Sequence, residues 1–314
     1  MVDLKTQIGT LQLKNPVMPA SGTFSDDLAQ VFDLDLLGAH VLKTITLLPR
    51  RGNPGPRVSE TQAGMLNSIG IPSKGIDSFL KHDLPRYARY QAPLVVSISA
   101  DTSEEFAEIC QRVSVPDVTA IEVNISCPNL EEDGKAFAMM PDATFKVMEK
   151  LRQASSLPLW AKLTPNTGEI ATVAQAAEAG GADALVVANT ILGMSINVET
   201  FKPSLGNIMG GLSGPAIKPI FLRMVYQCHK AVNIPIIGCG GISTAEDAVE
   251  YLLAGAAAVQ VGTATFIHPA AMPKIIKELS SFCQQRGIDH LAALIGQVRD
   301  SNLTAEAVLH GYST

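Results

Sequence analysis

The chain lacks the usual means of holding a metal, a disulfide framework or a nucleic acid. Its five cysteines, Cys110, Cys127, Cys228, Cys239 and Cys283, contain no CxxC pair, and their odd number argues against a closed set of bridges. Its six histidines are isolated, with no HxH or HExxH arrangement, so no metal or iron–sulfur site within the chain is expected. Lys and Arg are scattered through a chain of formal charge −6, which excludes the basic footprint of a nucleic-acid binder. Met1 leads into Asp3, Lys5 and Gln7 with no basic region before an apolar core, so neither signal peptide nor membrane anchor is expected. A cytoplasmic address, reduced thiols and a small-molecule partner are the consequence. No early GxGxxG turn is present either, which weakens the case for a doubly wound open sheet.

What is present is a large apolar content and a repeating pattern. With 314 residues, 46% of them hydrophobic, the chain can bury a substantial core. Short β-type runs recur at Pro16–Ala20, His40–Lys43, Leu94–Ser99, Ala120–Ile125, Leu159–Leu163, Ala184–Ala188, Ile234–Gly238 and Ala257–Val261. Their hydrophobicity is continuous rather than alternating, as in parallel strands covered on both faces. Helical spacing fills the intervals at Ser103–Val113, Asp142–Ala154, Ile170–Ala179 and Thr244–Ala254. Eight such units predict an α/β fold, a closed (β/α)8 TIM barrel forming a single domain over residues 1–314, with the open sheet as the alternative. Two connections, Thr44–Pro93 and Thr190–Asn233, are far longer than usual. Both follow strands, so both are expected as inserted loops on the C-terminal face, where barrel active sites lie.

The chemistry-bearing residues fall at the same strand ends. Asn124-Ile125-Ser126-Cys127-Pro128-Asn129 puts one thiol between two amides where Pro128 stops a β-forming run. Cys127 there is either a nucleophile or proton acceptor, or a buried thiol in a Pro-bounded turn. Gly240-Gly241 and Gly262-Thr263 end consecutive strands and suit a phosphate held by backbone amides, although glycine turns without a ligand read the same way. Lys43 and Lys162 lie at or near strand ends; turned inward, each needs an anionic partner, and turned outward, neither does. Together with a phosphate site they point to a negatively charged cofactor, with a Schiff base at Lys162 as the other option. Asn67, Asn124, Asn129 and Asn189, with Thr190, add amide and hydroxyl groups that could hold a planar polar ring.

At these residues the chain resembles the dihydroorotate dehydrogenases of pyrimidine biosynthesis. The resemblance is carried nearly end to end by Pro19-Ala20-Ser21-Gly22, Lys43-Thr44, Gly52-Asn53-Pro54 with Pro56-Arg57, Gly64–Gly70, Asn124–Asn129, Lys162–Asn166, Ala188-Asn189-Thr190, Gly210–Pro219, Gly240-Gly241 and Gly262-Thr263. A cysteine at position 127 marks the soluble class, and Gly64–Asn67 with Gly210–Pro219 resembles its NAD-linked catalytic subunits rather than the fumarate-using homodimers. The resemblance implies an FMN barrel that oxidises dihydroorotate to orotate on the route to UMP, with Cys127 as the base. It implies FMN contacts at Ser21, Lys43, Thr44, Ser97, Asn124, Lys162, Ala188, Gly214, Gly240, Gly241, Gly262 and Thr263. Substrate contacts are implied at Lys43, Asn67, Ser68, Ile69, Gly70, Ile71, Asn124, Asn129, Asn189 and Thr190. It further implies a homodimeric core joined to a second subunit carrying FAD and a [2Fe–2S] cluster, in a heterotetramer that passes electrons to NAD+.

Three features depart from the family pattern. The turn near Phe24-Ser25-Asp26 is two residues shorter than is common, Ser97 stands where an Asn is usual, and Leu130–Met140 lacks two customary glycines. The Ser97 flavin contact and the closure of the segment over the substrate are therefore expected to differ. A fumarate-linked enzyme without a partner, a Schiff-base lyase and a non-catalytic flavin protein are the competing functions.

Overall fold

The computed structural model describes residues 2–126 and 136–299. Eight parallel strands form its centre: β1 (Val17–Pro19), β2 (His40–Val41), β3 (Leu94–Ile98), β4 (Ala120–Asn124), β5 (Leu159–Lys162), β6 (Ala184–Val187), β7 (Ile236–Cys239) and β8 (Ala256–Val261). Hydrogen bonding runs from β2 through β3, β4, β5, β6, β7 and β8 to β1, the order of a nearly closed α/β TIM barrel. At the remaining seam Gly38 N donates to Val17 O at 2.8 Å. The approach is so close that a Cβ on Gly38 would lie 2.2 Å from Asn15 O, so only glycine fits there. Strand β7 begins later than the apolar run suggests because Pro235 has no N–H for the ladder, and it extends to Cys239, which pairs with Gln260.

The helices bury the stripes their sequences specify. Helix α1 (Ser103–Val113) starts where the Thr102 hydroxyl accepts from Glu105 N at 3.2 Å, and it buries Phe106, Ile109, Cys110 and Val113. Helix α2 (Pro141–Ala154) opens on a proline whose missing N–H costs nothing in the first turn. Helices α3 (Ile170–Ala179), α4 (Lys218–Ala231), α5 (Ala245–Leu253) and α6 (Ala271–Gln285) follow β5 to β8. Their apolar faces, for example Ile170, Val173, Ala174 and Ala177 of α3, meet outward residues such as Ile121, Val123, Leu185 and Val259 in one continuous cluster. Each fully buried aliphatic side chain of this kind contributes about 2 kcal/mol of hydrophobic stabilisation.

Inside the barrel the composition changes with height. The lower interior is apolar, with Met18, Val95, Ala120, Trp160, Ala184, Ile237 and Ala258 packed on Ile8 and Leu13. Those last two come from the antiparallel hairpin of Thr6–Ile8 and Leu11–Leu13, which plugs the N-terminal end. Two residues further along four of the strands the same inward positions are polar: Ser97, Glu122, Lys162 and Gln260, all buried. Above them the two long connections fold together. Val58–Thr61 and Gly64–Asn67 from the first pair with Met209–Ser213 and Ile191–Met194 from the second in one four-stranded antiparallel sheet.

Candidate functional site

The upper interior layer is a closed polar network. Glu122 is fully buried, and its Oε1 accepts from Ser97 Oγ at 3.1 Å and from Lys162 Nζ at 3.3 Å. Its Oε2 accepts from Gln260 Nε2 at 2.6 Å, while Gln260 Oε1 accepts from Lys162 at 3.1 Å. The Thr44 and Ser97 hydroxyls share a hydrogen bond of 2.9 Å. Lys162 also donates to Ser21 Oγ at 3.3 Å, beyond the end of β1, which directs its ammonium toward the C-terminal mouth. A charge pair this deep is tolerated only when its hydrogen bonds are satisfied. The inward lysine therefore has its anionic partner inside the protein, in Glu122, a partner that the sequence reading assigned to a cofactor. With the ammonium so engaged, a Schiff base at Lys162 loses its support.

Lys43 is placed differently. It lies past the end of β2 and is exposed; displaced water, and then the nearby Arg57 cation, lower its pKa. Asn124, at the end of β4, is buried, and its Oδ1 accepts from Asn189 Nδ2 at 3.3 Å and from Ser126 Oγ at 2.5 Å. Thr190 N donates to Asn189 Oδ1 at 2.8 Å, fixing which edge of that amide faces Asn124. Ala188 is buried just below, its N–H donating to Cys239 O at 3.0 Å.

The loop sheet brings Asn67 to the same side. Asn67 Nδ2 donates to Gly211 O at 3.2 Å, and a Cβ on Gly211 would lie 1.9 Å from Thr190 Oγ1. Gly211 thus lets the segment bearing Asn67 and the segment bearing Thr190 meet. Asn53 clamps Ser68 and Ile69: its Nδ2 donates to Ser68 Oγ at 2.8 Å and its N–H to Ile69 O at 3.0 Å. Gly70, with φ 75°, and Ile71, with φ 47°, turn the chain away, and a Cβ on Gly70 would clash with Asn53.

Across the mouth, Gly240 (φ 137°) and Gly241 (φ 69°) follow β7, and Gly262-Thr263 follow β8. Thr263 Oγ1 donates to Ser213 Oγ at 2.8 Å, beside Gly214 (φ 99°). There is room at Gly262, where a Cβ would make only ordinary contacts with Ala20 Cβ at 3.4 Å and Thr23 Cγ2 at 3.7 Å, and at Gly22, where it would meet nothing within 4 Å. An ammonium, the Ser21, Thr44, Ser213 and Thr263 hydroxyls and the Asn124 amide thus gather at the C-terminal end of the barrel. That donor set fits a ligand with a polar ring and an anionic tail, as FMN is.

Several functional expectations fall on residues not described. Cys127, Asn129 and residues 130–135 of the Leu130–Met140 segment lie outside the described residues. The remainder of that segment is anchored: Phe137 and Ala138 are buried, and Ala138 N donates to Ile125 O at 3.0 Å. The other four cysteines are buried, and burial pushes the Cys110 and Cys228 thiols up to about 12. Among the described residues no cluster of three or more metal-ligating side chains occurs, and no helix is long and apolar enough to cross a membrane.

Sequence reasoning missed Glu122, Gln260 and Asn166. Asn166 Oδ1 accepts from Leu192 N at 2.9 Å and its Nδ2 donates to Thr190 O at 3.4 Å, so it shapes the turn leaving β6. For the other two the signal was present. Glu122 stands two residues before Asn124, and Gln260 two before Gly262, each a polar residue at an inward register of an otherwise apolar strand.

Comparison with known proteins places this architecture. The family described as dihydroorotate dehydrogenase matches residues 3–283. A protein of Geobacillus sp. (strain WCH70), named dihydroorotate dehydrogenase B (NAD(+)), catalytic subunit, is 46% identical over 94% of this chain and 95% of its own length. Proteins of the same name from Trichlorobacter lovleyi and Thermoanaerobacter sp. (strain X514) are 47% and 43% identical, covering 93% and 95% of this chain and 97% and 99% of their own.

Proposed function

The chain belongs to the dihydroorotate dehydrogenase family, and from that premise we propose that it is the catalytic subunit of an NAD-linked enzyme oxidising dihydroorotate to orotate in pyrimidine biosynthesis. The family is flavin-dependent, and the name shared by the relatives implies a separate electron-transfer subunit. The observation that carries the reading is the joining of Lys162, Asn124 and Asn189 around one barrel mouth, in a chain related over nearly its whole length to such subunits.

In this reading residues 1–314 form one FMN-binding domain in the cytoplasm. Ser21, Lys43, Thr44, Ser97, Asn124, Lys162 and Ala188 line the ring end of the flavin site, and Gly214, Gly240, Gly241, Gly262 and Thr263 its phosphate end. Bound FMN would supply the acceptor for the hydride leaving C6 of dihydroorotate, with FAD and a [2Fe–2S] cluster in the partner subunit of a heterotetramer leading on to NAD+. Cys127, as thiolate, takes the proton from C5, so that the C5–C6 double bond of orotate forms as proton and hydride depart. Asn124, Asn129 and Asn189 offer amides to the carbonyl and N–H edges of the substrate ring. Thr190, Lys43 and Asn67–Ile71 border the substrate from the loop sheet, where Lys43 can meet its carboxylate. Lys162 presents a fixed positive charge toward the flavin.

Steady-state turnover of the purified chain with dihydroorotate tests the acceptor. Rapid turnover with an artificial dye and little with NAD+ alone or fumarate supports the reading; efficient turnover with fumarate would replace it with a partner-free enzyme.

A further inference from the structure

We propose that Glu122 is a positioning residue for the flavin: it fixes Lys162 and offsets its charge, setting how strongly the site holds electrons. This inference rests on the flavin reading above. Its basis is the polar layer itself. Glu122 and Gln260 are fully buried and Lys162 nearly so, on three different strands. Gln260 bridges the pair, giving its N–H to the carboxylate at 2.6 Å and its carbonyl to the ammonium at 3.1 Å. The reverse amide orientation would set donor against donor, so the ion pair and the amide orient one another.

The carboxylate is further tied to the neighbouring strand β3. Ser97 donates to Glu122 Oε1, and Ser97 in turn shares a hydrogen bond with Thr44. Ser97 thus adds a hydroxyl to the donors around Glu122. Glu122 thus holds bonds from β3, β5 and β8 together, while Ser21 draws the ammonium toward the mouth.

The charge balance gives the arrangement its consequence. One carboxylate and one ammonium leave the pair formally neutral, so the pull of Lys162 on an anionic reduced flavin is moderated by a negative group about one hydrogen bond behind it. A site that released its electrons to a partner needs that moderation. An unbalanced lysine would favour reduction and slow the onward transfer.

The test uses the full chain loaded with FMN. Sulfite adds to oxidised flavin to leave an anionic adduct, so its dissociation constant, read from the visible absorbance, reports local charge; the midpoint potential is measured alongside. Glu122→Gln keeps the shape and removes the negative charge. It should lower the sulfite dissociation constant by about tenfold, with a rise in potential of about 30 mV, the two-electron equivalent of that ratio. Gln260→Glu adds a carboxylate and should shift both quantities in the opposite direction.

A merely structural layer predicts loss of FMN retention or thermal stability in both variants, without opposed shifts. Sulfite affinity and potential unchanged in either folded variant, or moved in the same direction in both, overturn the positioning role. If Glu122→Gln does not fold, the sign of the Gln260→Glu shift decides. Wild-type chain holding no FMN, or FMN that dihydroorotate does not bleach, defeats the flavin reading and this inference together; a bleachable wild type with unresponsive variants defeats only the inference.

Discussion

The Asn189 amide reaches over β5 to the Asn124 carbonyl at 3.3 Å, joining the ends of β6 and β4, two strands that are not neighbours in the barrel. Such a link fixes the Asn124 and Asn189 side chains relative to one another at the ends of their strands. Asn189→Ala removes it, and with it one polar contact proposed for the substrate. Loss of one hydrogen bond of about 1 kcal/mol predicts roughly fivefold weaker orotate binding. Titration of the flavin spectrum with orotate measures this, and an unchanged affinity would remove Asn189 from the pocket.

The proposed base gives a prediction about pH. A thiol of ordinary acidity titrates at ~8.5, and only its thiolate accepts a proton. The rate of flavin reduction under single-turnover conditions should therefore rise with pH through the thiol's apparent pKa. Cys127→Ala should slow it by about a hundredfold or more and erase that limb of the profile. A flat wild-type profile, or a variant as fast as wild type, would exclude Cys127 as base.

Helix α5 carries a pH-dependent share of stability just after the Gly240-Gly241 turn. Burial works against the Asp247 charge, but bonds from Lys218 at 2.7 Å, Ser243 N at 2.8 Å and Thr244 N at 2.9 Å outweigh it and hold the carboxyl below the ordinary range. A folded pKa below the unfolded value of ~3.9 means that this stabilisation is complete above that pH and is lost as pH falls through the folded value. Asp247→Asn should cost about 1 kcal/mol at pH ~7, with the gap to wild type narrowing below pH ~4. Thermal melts at both pH values check it, and a gap independent of pH would contradict the assignment.

Gly211 tests the meeting of the two inserted loops. Any Cβ there overlaps Thr190 Oγ1, so Gly211→Ala must push apart the segments bearing Thr190 and Asn67. The overpacking should cost about 1–3 kcal/mol, borne by the loop sheet rather than the barrel. The expected result is a raised KM for dihydroorotate with FMN retained. Unaltered KM would mean that the loop sheet does not shape the substrate side.

Much of this architecture was legible because barrel strands are short apolar runs between helices with apolar stripes. Ser103–Val113 and Ile170–Ala179 were readable to the residue, since Thr102 caps one and Gly180 closes the other. The strand Ile236–Cys239 was misplaced by two residues at its start because hydropathy does not register the missing N–H of Pro235. The long loops announced their importance by length, but not that they pair with each other, a contact between segments more than a hundred residues apart. The polar layer was obscured by averaging. Glu122 and Gln260 disappear in runs that read as continuously apolar, and only the two-residue alternation of a barrel strand shows that they share its interior with Lys162.

The most direct test is the visible spectrum of the purified chain before and after anaerobic addition of dihydroorotate. The account predicts an oxidised flavin spectrum that dihydroorotate bleaches without NAD+ or a partner subunit. A colourless chain, or a flavin band that dihydroorotate leaves unchanged, would contradict it.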